Sequence, residues 1–112
     1  MGELAELSDF TFAEQVYHCE LVTVVEFWAP WCRPCLALQP EIGRLAEERP
    51  DLKIFRLNVD ENPVSAMVYG VKNVPTLLVF RQGQEIARLE GFRKKEELAR
   101  RIGELLGKSE KG

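Results

Sequence analysis

No apolar run in the chain approaches the roughly 20 residues that a helix needs to cross a bilayer, so the sequence predicts no membrane association. An excess of positive charge is missing as well. The formal net charge is −3, which argues against nucleic acid as the main partner. Internal repeats, low-complexity stretches and linkers are also absent. The length of 112 residues predicts one domain over residues 1–112, and we expect it to be a monomer.

The N-terminal residues contain no basic segment followed by an apolar core, so we expect no export signal and a cytoplasmic location. What is present is typical of a folded domain. Hydrophobic residues make up 46% of the chain and charged residues 29%, which excludes a disordered polar chain. A chain of this length buries a core without disulfide staples. In a reducing cytoplasm, closely spaced cysteines are therefore more often catalytic or metal-binding than structural.

Strand-like and helix-like segments alternate along the chain, which predicts an α/β fold. Two strand–helix units come first and a hairpin with Gly83 at its turn follows, so the sheet should be mixed, with parallel strands before antiparallel ones. Pro40 predicts a kink in the longest central helix, whose apolar face comprises Leu36, Leu38, Ile42, Leu45 and Ala46. The predicted strands cover 21–28, 52–59, 76–80 and 85–91; the predicted helices cover 36–48, 60–70 and 94–106; the core spans about 7–106 and a polar tail covers 107–112.

The segment WCRPC places Cys32 and Cys35 where the first long strand gives way to a helix. Side chains three residues apart lie side by side in a helical turn, within reach of a disulfide. The start of the helix favours a thiolate, so Cys32 is the expected nucleophile and the deeper Cys35 the expected resolving thiol. Arg33 adds a positive charge that also favours the thiolate, and Pro34 suits a first helical turn.

A metal site and a structural bridge are the alternatives to a redox pair. His18 and Cys19 would complete a set of three cysteines and one histidine, which is a known zinc ligand set. Cys19, however, should lie at the far end of the strand that leads to Cys32, and seven to eight extended residues span roughly 25 Å. We therefore expect Cys19 to be a small, partly buried thiol near the end of a first helix that precedes the strand over 21–28, with His18 on the surface.

An ordered set of motifs resembles the thioredoxin family over nearly the whole chain. The resemblance implies the thioredoxin fold, a central mixed sheet with helices on both faces. It also implies a dithiol–disulfide oxidoreductase that reduces substrate disulfides through Cys32 and Cys35 by way of a mixed disulfide. The Val74–Pro75 bond would be cis. The matching segments are VVEFWAPWCRPC, Pro40, LNVDENP, VPTLLVF, RQGQ and Gly91.

Partners and cofactors follow from the same resemblance. It implies disulfide-containing substrate proteins and a flavin- and NADPH-dependent thioredoxin reductase as the electron source. No bound cofactor or metal is expected, because the working group is the Cys32–Cys35 disulfide itself. Substrate would dock on a flat apolar patch around Cys32, formed by Trp31, Val74, Pro75 and Gly91.

Four residues depart from the family's usual pattern: Arg33 replaces a glycine, Glu26 an aspartate, Arg56 a lysine and Asn73 a small residue. Glu26 lies within the apolar strand, so we expect burial, a raised pKa and proton exchange with Cys35. Its side chain could approach the sulfurs or fold towards Arg56, and we expect the first arrangement. Trp28 should pack beneath the loop that carries the cysteines.

Two other functions stay open at the level of sequence. An oxidant or isomerase on the same fold would work in its disulfide form, and Arg33 favours this mildly by stabilising the reduced thiolate. A redox-independent subunit of a larger complex would need neither cysteine.

Overall fold

The computed structural model describes residues 4–111 of the chain, with side chains described up to Gly107. Within this range the chain forms five strands, three α-helices and a short π-helical turn at Ala13–Tyr17. The strands are β1 (Ala5–Leu7), β2 (Val22–Trp28), β3 (Leu52–Asn58), β4 (Thr76–Arg81) and β5 (Gln84–Glu90). The α-helices are α1 (Arg33–Glu48), α2 (Pro63–Val68) and α3 (Lys95–Lys111).

The strands form one mixed sheet in the order β1-β3-β2-β4-β5. The first three run parallel to one another, β4 is antiparallel to β2, and β5 is antiparallel to β4. The β4–β5 turn uses Gln82 and Gly83, both with positive φ, as the glycine there predicted. The predicted α/β fold with a terminal antiparallel hairpin is confirmed.

Both faces of the sheet are covered, because the strand residues alternate between two apolar clusters. On one face, α1 and α3 pack against a cluster that includes Val24, Ile54 and Leu77. On the other face, the π-helical turn and the α2 region pack against a cluster that includes Val25, Phe27 and Phe80. Helices on both faces are the arrangement that the resemblance implied.

Three details differ from the sequence prediction. Strand β1 was not predicted, because three residues carry too little pattern to indicate a strand. Leu36 is half exposed rather than part of the helix's apolar face, because that face follows the helical spacing of Cys35, Leu38, Ile42 and Leu45. Helix α3 continues past Gly107 to Lys111, so the helix ends later than the predicted start of the polar tail. Helix α1 itself runs through Pro40.

One edge of the sheet gathers an end of each of the five strands. The parallel strands β1, β2 and β3 end there, β4 begins there and β5 ends there. The loops that leave this edge carry Cys32, Asp60, Pro75 and Gly91. In the part of the chain that the structure describes, no helix is both long and apolar enough to span a membrane.

Candidate active site

Cys32 and Cys35 form a disulfide at the start of α1, with their Cα atoms 5.2 Å apart. Cys32 is the residue that caps the helix, and its Sγ accepts a hydrogen bond from the backbone N–H of Cys35 at 3.1 Å. A helix start has N–H groups without helical partners and the positive end of the helix dipole. When the pair is reduced, this position stabilises a thiolate on Cys32.

The two sulfurs differ in access. Cys35 is fully buried, whereas Cys32 retains 4% of its surface. Trp28, Val59 and Val74 pack against the small cluster that the cysteines form with Ala29. The predicted position of Trp28 beneath the loop is therefore what the structure shows, and only Cys32 offers a sulfur to a partner.

Cys32 is expected to react with iodoacetamide at least about tenfold faster than Cys35 in the reduced protein at neutral pH, because only Cys32 combines access with a helix cap. Mass mapping after brief labelling of the Cys19→Ala variant measures this ratio without a third thiol. Faster labelling of Cys35 would reverse the assignment of nucleophile and resolving thiol.

The loop before β4 brings backbone to the accessible sulfur. The Val74–Pro75 bond is cis, as the resemblance implied. The carbonyl oxygen of Val74 lies 3.6 Å from the Sγ of Cys32. Gly91 donates its backbone N–H to the carbonyl of Pro75 at 2.9 Å and has φ 87°, a conformation that favours glycine. Cys32, the Val74–Pro75 pair and Gly91 are thus brought together from three separate parts of the chain.

Trp31 stands beside this group with 69% of its surface exposed, and its indole N–H donates to Asp60 at 3.2 Å. Arg33 and Pro34 follow on the exposed side of the first turn of α1. A shallow groove of about 290 Å³ begins at Trp31 and is lined further by Val59, Val71, Lys72, Asn73 and Val74.

Glu26 is completely buried on β2, and its Oε1 accepts a hydrogen bond from the Nε of Arg56 at 3.2 Å. Arg56 also stacks on Trp28, with its guanidinium carbon 3.9 Å from the ring centroid. The expected approach of Glu26 to the sulfurs is not what the structure shows. Its carboxylate folds towards Arg56, because the two residues face each other on neighbouring strands.

The pKa of Glu26 is nevertheless raised, from 4.5 to about 7. Burial is the main cause, since removing the carboxylate from water disfavours its charged form. The charge and the hydrogen bond of Arg56 lower the pKa of Glu26 and so oppose this rise, whereas the negative charge of Glu6 raises the pKa further. The predicted direction of the shift is therefore confirmed, although the predicted arrangement of the side chain is wrong.

His18 and Cys19 lie at the opposite end of β2 from the Cys32–Cys35 pair. The seven residues of that strand separate the two groups, as the sequence indicated. His18 is exposed and Cys19 is half-buried. Among the described residues, no three His, Cys, Asp or Glu side chains lie close enough together to hold a metal ion.

A disulfide at a helix start, at the end of a central strand and beside a cis-proline, defines a dithiol–disulfide oxidoreductase. The family model described as Thioredoxin matches residues 3–104. The chain is 37% identical over 100 residues to Thioredoxin 1 of Synechococcus elongatus and 38% identical over 100 residues to Thioredoxin of Synechocystis sp., covering 88% of this chain and 94% of each relative. It is 36% identical over 107 residues to Thioredoxin 2 of Chlorobaculum tepidum, covering 95% of this chain and 98% of that relative.

The chain belongs to the thioredoxin family, and it is a dithiol–disulfide oxidoreductase with the Cys32–Cys35 disulfide as its redox-active group.

Proposed function

We propose that the chain reduces disulfides in other proteins, with Cys32 as nucleophile and Cys35 as resolving thiol. The Cys32 thiolate attacks one sulfur of a substrate disulfide, forms a mixed disulfide and expels the other substrate sulfur as a thiolate. The Cys35 thiolate then attacks the Sγ of Cys32 and expels the second substrate thiolate. The substrate gains two electrons and two protons, and the chain is left with its own disulfide.

The observation that carries this proposal is the hydrogen bond from the Cys35 N–H to the Sγ of Cys32 at the start of α1. It directs a backbone donor at the sulfur that must hold negative charge. The same sulfur is the more accessible one and lies beside the Val74 carbonyl. Charge stabilisation and access therefore coincide on Cys32, as a nucleophile requires.

Glu26 is proposed as the proton acceptor that prepares Cys35 for the second step. It lies on the sheet face against which α1 packs, two residues beyond Val24 of that cluster, and Cys35 is in the first turn of α1. A pKa of about 7 allows Glu26 to take up a proton at neutral pH. Arg56 and Trp28 support it, Arg56 by its hydrogen bond and Trp28 by packing beneath the cysteines.

Trp31, Val74, Pro75 and Gly91 are proposed to dock the substrate. They surround Cys32 with an exposed aromatic ring and with backbone that an extended substrate segment can pair with. A thioredoxin reductase is the proposed electron source, by similarity to the family. The monomer and the cytoplasmic location stay predictions from sequence.

A turbidity assay of insulin disulfide reduction, with NADPH and a bacterial thioredoxin reductase, tests the proposal. We expect catalysis by the wild-type chain that requires the reductase, and none by Cys32→Ser. Cys19→Ala, which changes a thiol at the other end of β2, is the matched control and should keep wild-type activity.

The same preparations decide between the proposal and its alternatives. Equilibration of the Cys32–Cys35 pair with glutathione gives its reduction potential, and a strongly oxidising value would assign the chain to oxidants or isomerases. A cellular function that persists after both cysteines are changed to serine would assign it to redox-independent subunits.

A further inference from the structure

A row of charged residues crosses the sheet at the level of Glu26. Arg56 on β3 lies opposite Glu26 on β2 and opposite Glu6 on β1 in the strand register. Residues at the same register of neighbouring parallel strands point to the same face of the sheet. Glu6, Arg56 and Glu26 are therefore side by side, with the cation between the two carboxylates.

The guanidinium of Arg56 is shared between these two carboxylates. Its Nε donates to the Oε1 of Glu26 at 3.2 Å, and its Nη1 donates to the Oε2 of Glu6 at 3.2 Å. Its flat face is fixed on the ring of Trp28. Arg56 thus gives Glu26 one N–H rather than the two-point contact that an arginine forms with a single carboxylate.

Two buried atoms without hydrogen-bond partners are consistent with a guanidinium that is shared between Glu26 and Glu6. The Oε2 of Glu26 and the Nη2 of Arg56 are both buried, and neither has a hydrogen-bond partner among the described residues. A two-point pair between Glu26 and Arg56 would use both of these atoms. The contact with Glu6 and the stacking on Trp28 hold the guanidinium in an orientation that leaves the pair incomplete.

We propose that Glu6 is a positioning residue for Glu26: by competing for Arg56, it keeps the buried carboxylate only partly neutralised and therefore able to accept a proton at neutral pH. This inference rests on the proposed function, in which Glu26 takes a proton from Cys35. Glu6 itself is half exposed and acts only through Arg56 and through its own charge.

The other elements around Glu26 contribute little charge. Its neighbour on β4 is Leu77. The positions of α1 and α3 buried in the adjoining cluster are apolar, including Leu38, Ile42 and Leu98. Helix α1 also carries Cys35, whose thiol titrates once the disulfide is reduced. Arg56 and Glu6 are therefore the charged groups that set the electrostatic surroundings of Glu26 before Cys35 reacts.

The test is an isotope-edited NMR titration of the Glu26 carboxyl carbon in the oxidised protein. In Glu6→Gln, Arg56 loses its competing partner and Glu26 loses a neighbouring negative charge. The pKa of Glu26 should therefore fall by about half a unit, as expected for two carboxylates on strands that lie on either side of Arg56. Glu6→Asp keeps the charge and should retain most of the wild-type value. Glu14→Gln removes an equal charge from an exposed position in the π-helical turn, on the opposite face of the sheet, and should leave the titration unchanged.

An unchanged pKa of Glu26 in Glu6→Gln would overturn the proposal. A rise would overturn it too, because it would mean that Glu6 holds Arg56 in place for Glu26 rather than competing for it. The pH profile of mixed-disulfide release separates this inference from the proposed function. If the profile shifts with the NMR titration, both stand. If the titration shifts and the profile does not, the positioning by Glu6 stands and the proton transfer by Glu26 is wrong.

Discussion

Replacing Glu26 by leucine is expected to stabilise the oxidised protein, and the gain should increase by about 3 kcal/mol between pH 4 and pH 8.5. The pKa of Glu26 is about 7 in the folded protein against 4.5 for an ordinary glutamate, because the carboxyl is buried. Each unit of difference corresponds to about 1.4 kcal/mol of free energy. Ionising this carboxyl therefore opposes folding in the wild-type protein, and leucine removes that penalty.

The sign follows from proton binding. Between pH 4.5 and about 7, the folded chain keeps a proton on Glu26 that the unfolded chain has lost. Stability therefore falls as pH rises through this window. Below pH 4.5 both states are protonated and the penalty is absent; above about 7 it is complete. Any change in packing that leucine causes is the same at both pH values. The pH-dependent part of the gain in stability therefore reports only on the ionisation of Glu26.

Urea unfolding of the oxidised wild type and variant at both pH values measures this gain. Glu26→Gln, which keeps the shape of the side chain, should show the same pH-dependent gain, and the exposed control Glu14→Gln should stay within about 0.5 kcal/mol of wild type. Both Glu26 variants should also release mixed disulfides more slowly. A variant that is less stable at pH 8.5 and reduces substrate at the wild-type rate would show that Glu26 is structural.

Cys35→Ser is expected to lower disulfide reduction by on the order of a thousandfold or more, since activity of this size is lost when a reacting nucleophile is removed. The first step survives in this variant, because Cys32, the accessible residue that caps α1, is intact. The second step fails, because a serine hydroxyl does not displace the substrate sulfur from Cys32. Substrate should therefore accumulate as a covalent adduct.

Non-reducing gel electrophoresis with a disulfide-containing substrate shows this adduct, and added dithiothreitol should release it. Cys32→Ser should lose comparable activity and yield no adduct, although Cys35 is present, because Cys35 is fully buried. An adduct formed by Cys32→Ser and not by Cys35→Ser would mean that the attacking and resolving sulfurs are exchanged.

The parts of the fold predicted from sequence are those with a strong local pattern. The β-branched run of β2, the turn with Gly83 and the apolar spacing of α1 all indicate their structures without knowledge of the rest of the chain. Strand β1 has only three residues, so no pattern shows it. It becomes a strand because β3 offers a free parallel edge, which is a property of the assembled sheet.

In the candidate site, too, the residues in local motifs could be predicted and the contacts that depend on the assembled sheet could not. WCRPC and VPT are contiguous motifs, so Cys32, Cys35 and Pro75 could be identified from the sequence. The side-chain contacts of Glu26 could not. Whether it turns to the sulfurs or to Arg56 depends on strand register and on competition among neighbours, to which Glu6 contributes from an unpredicted strand. The contact between Trp31 and Asp60 was missed for the same reason.

The hydrogen bond from Gly91 to Pro75 has a consequence for biosynthesis. Both cysteines are translated early, whereas the backbone that flanks them is completed only when β5 has paired with β4. A nascent chain that ends before Gly91 therefore carries both thiols of the pair without the complete surface that is proposed to dock their substrates.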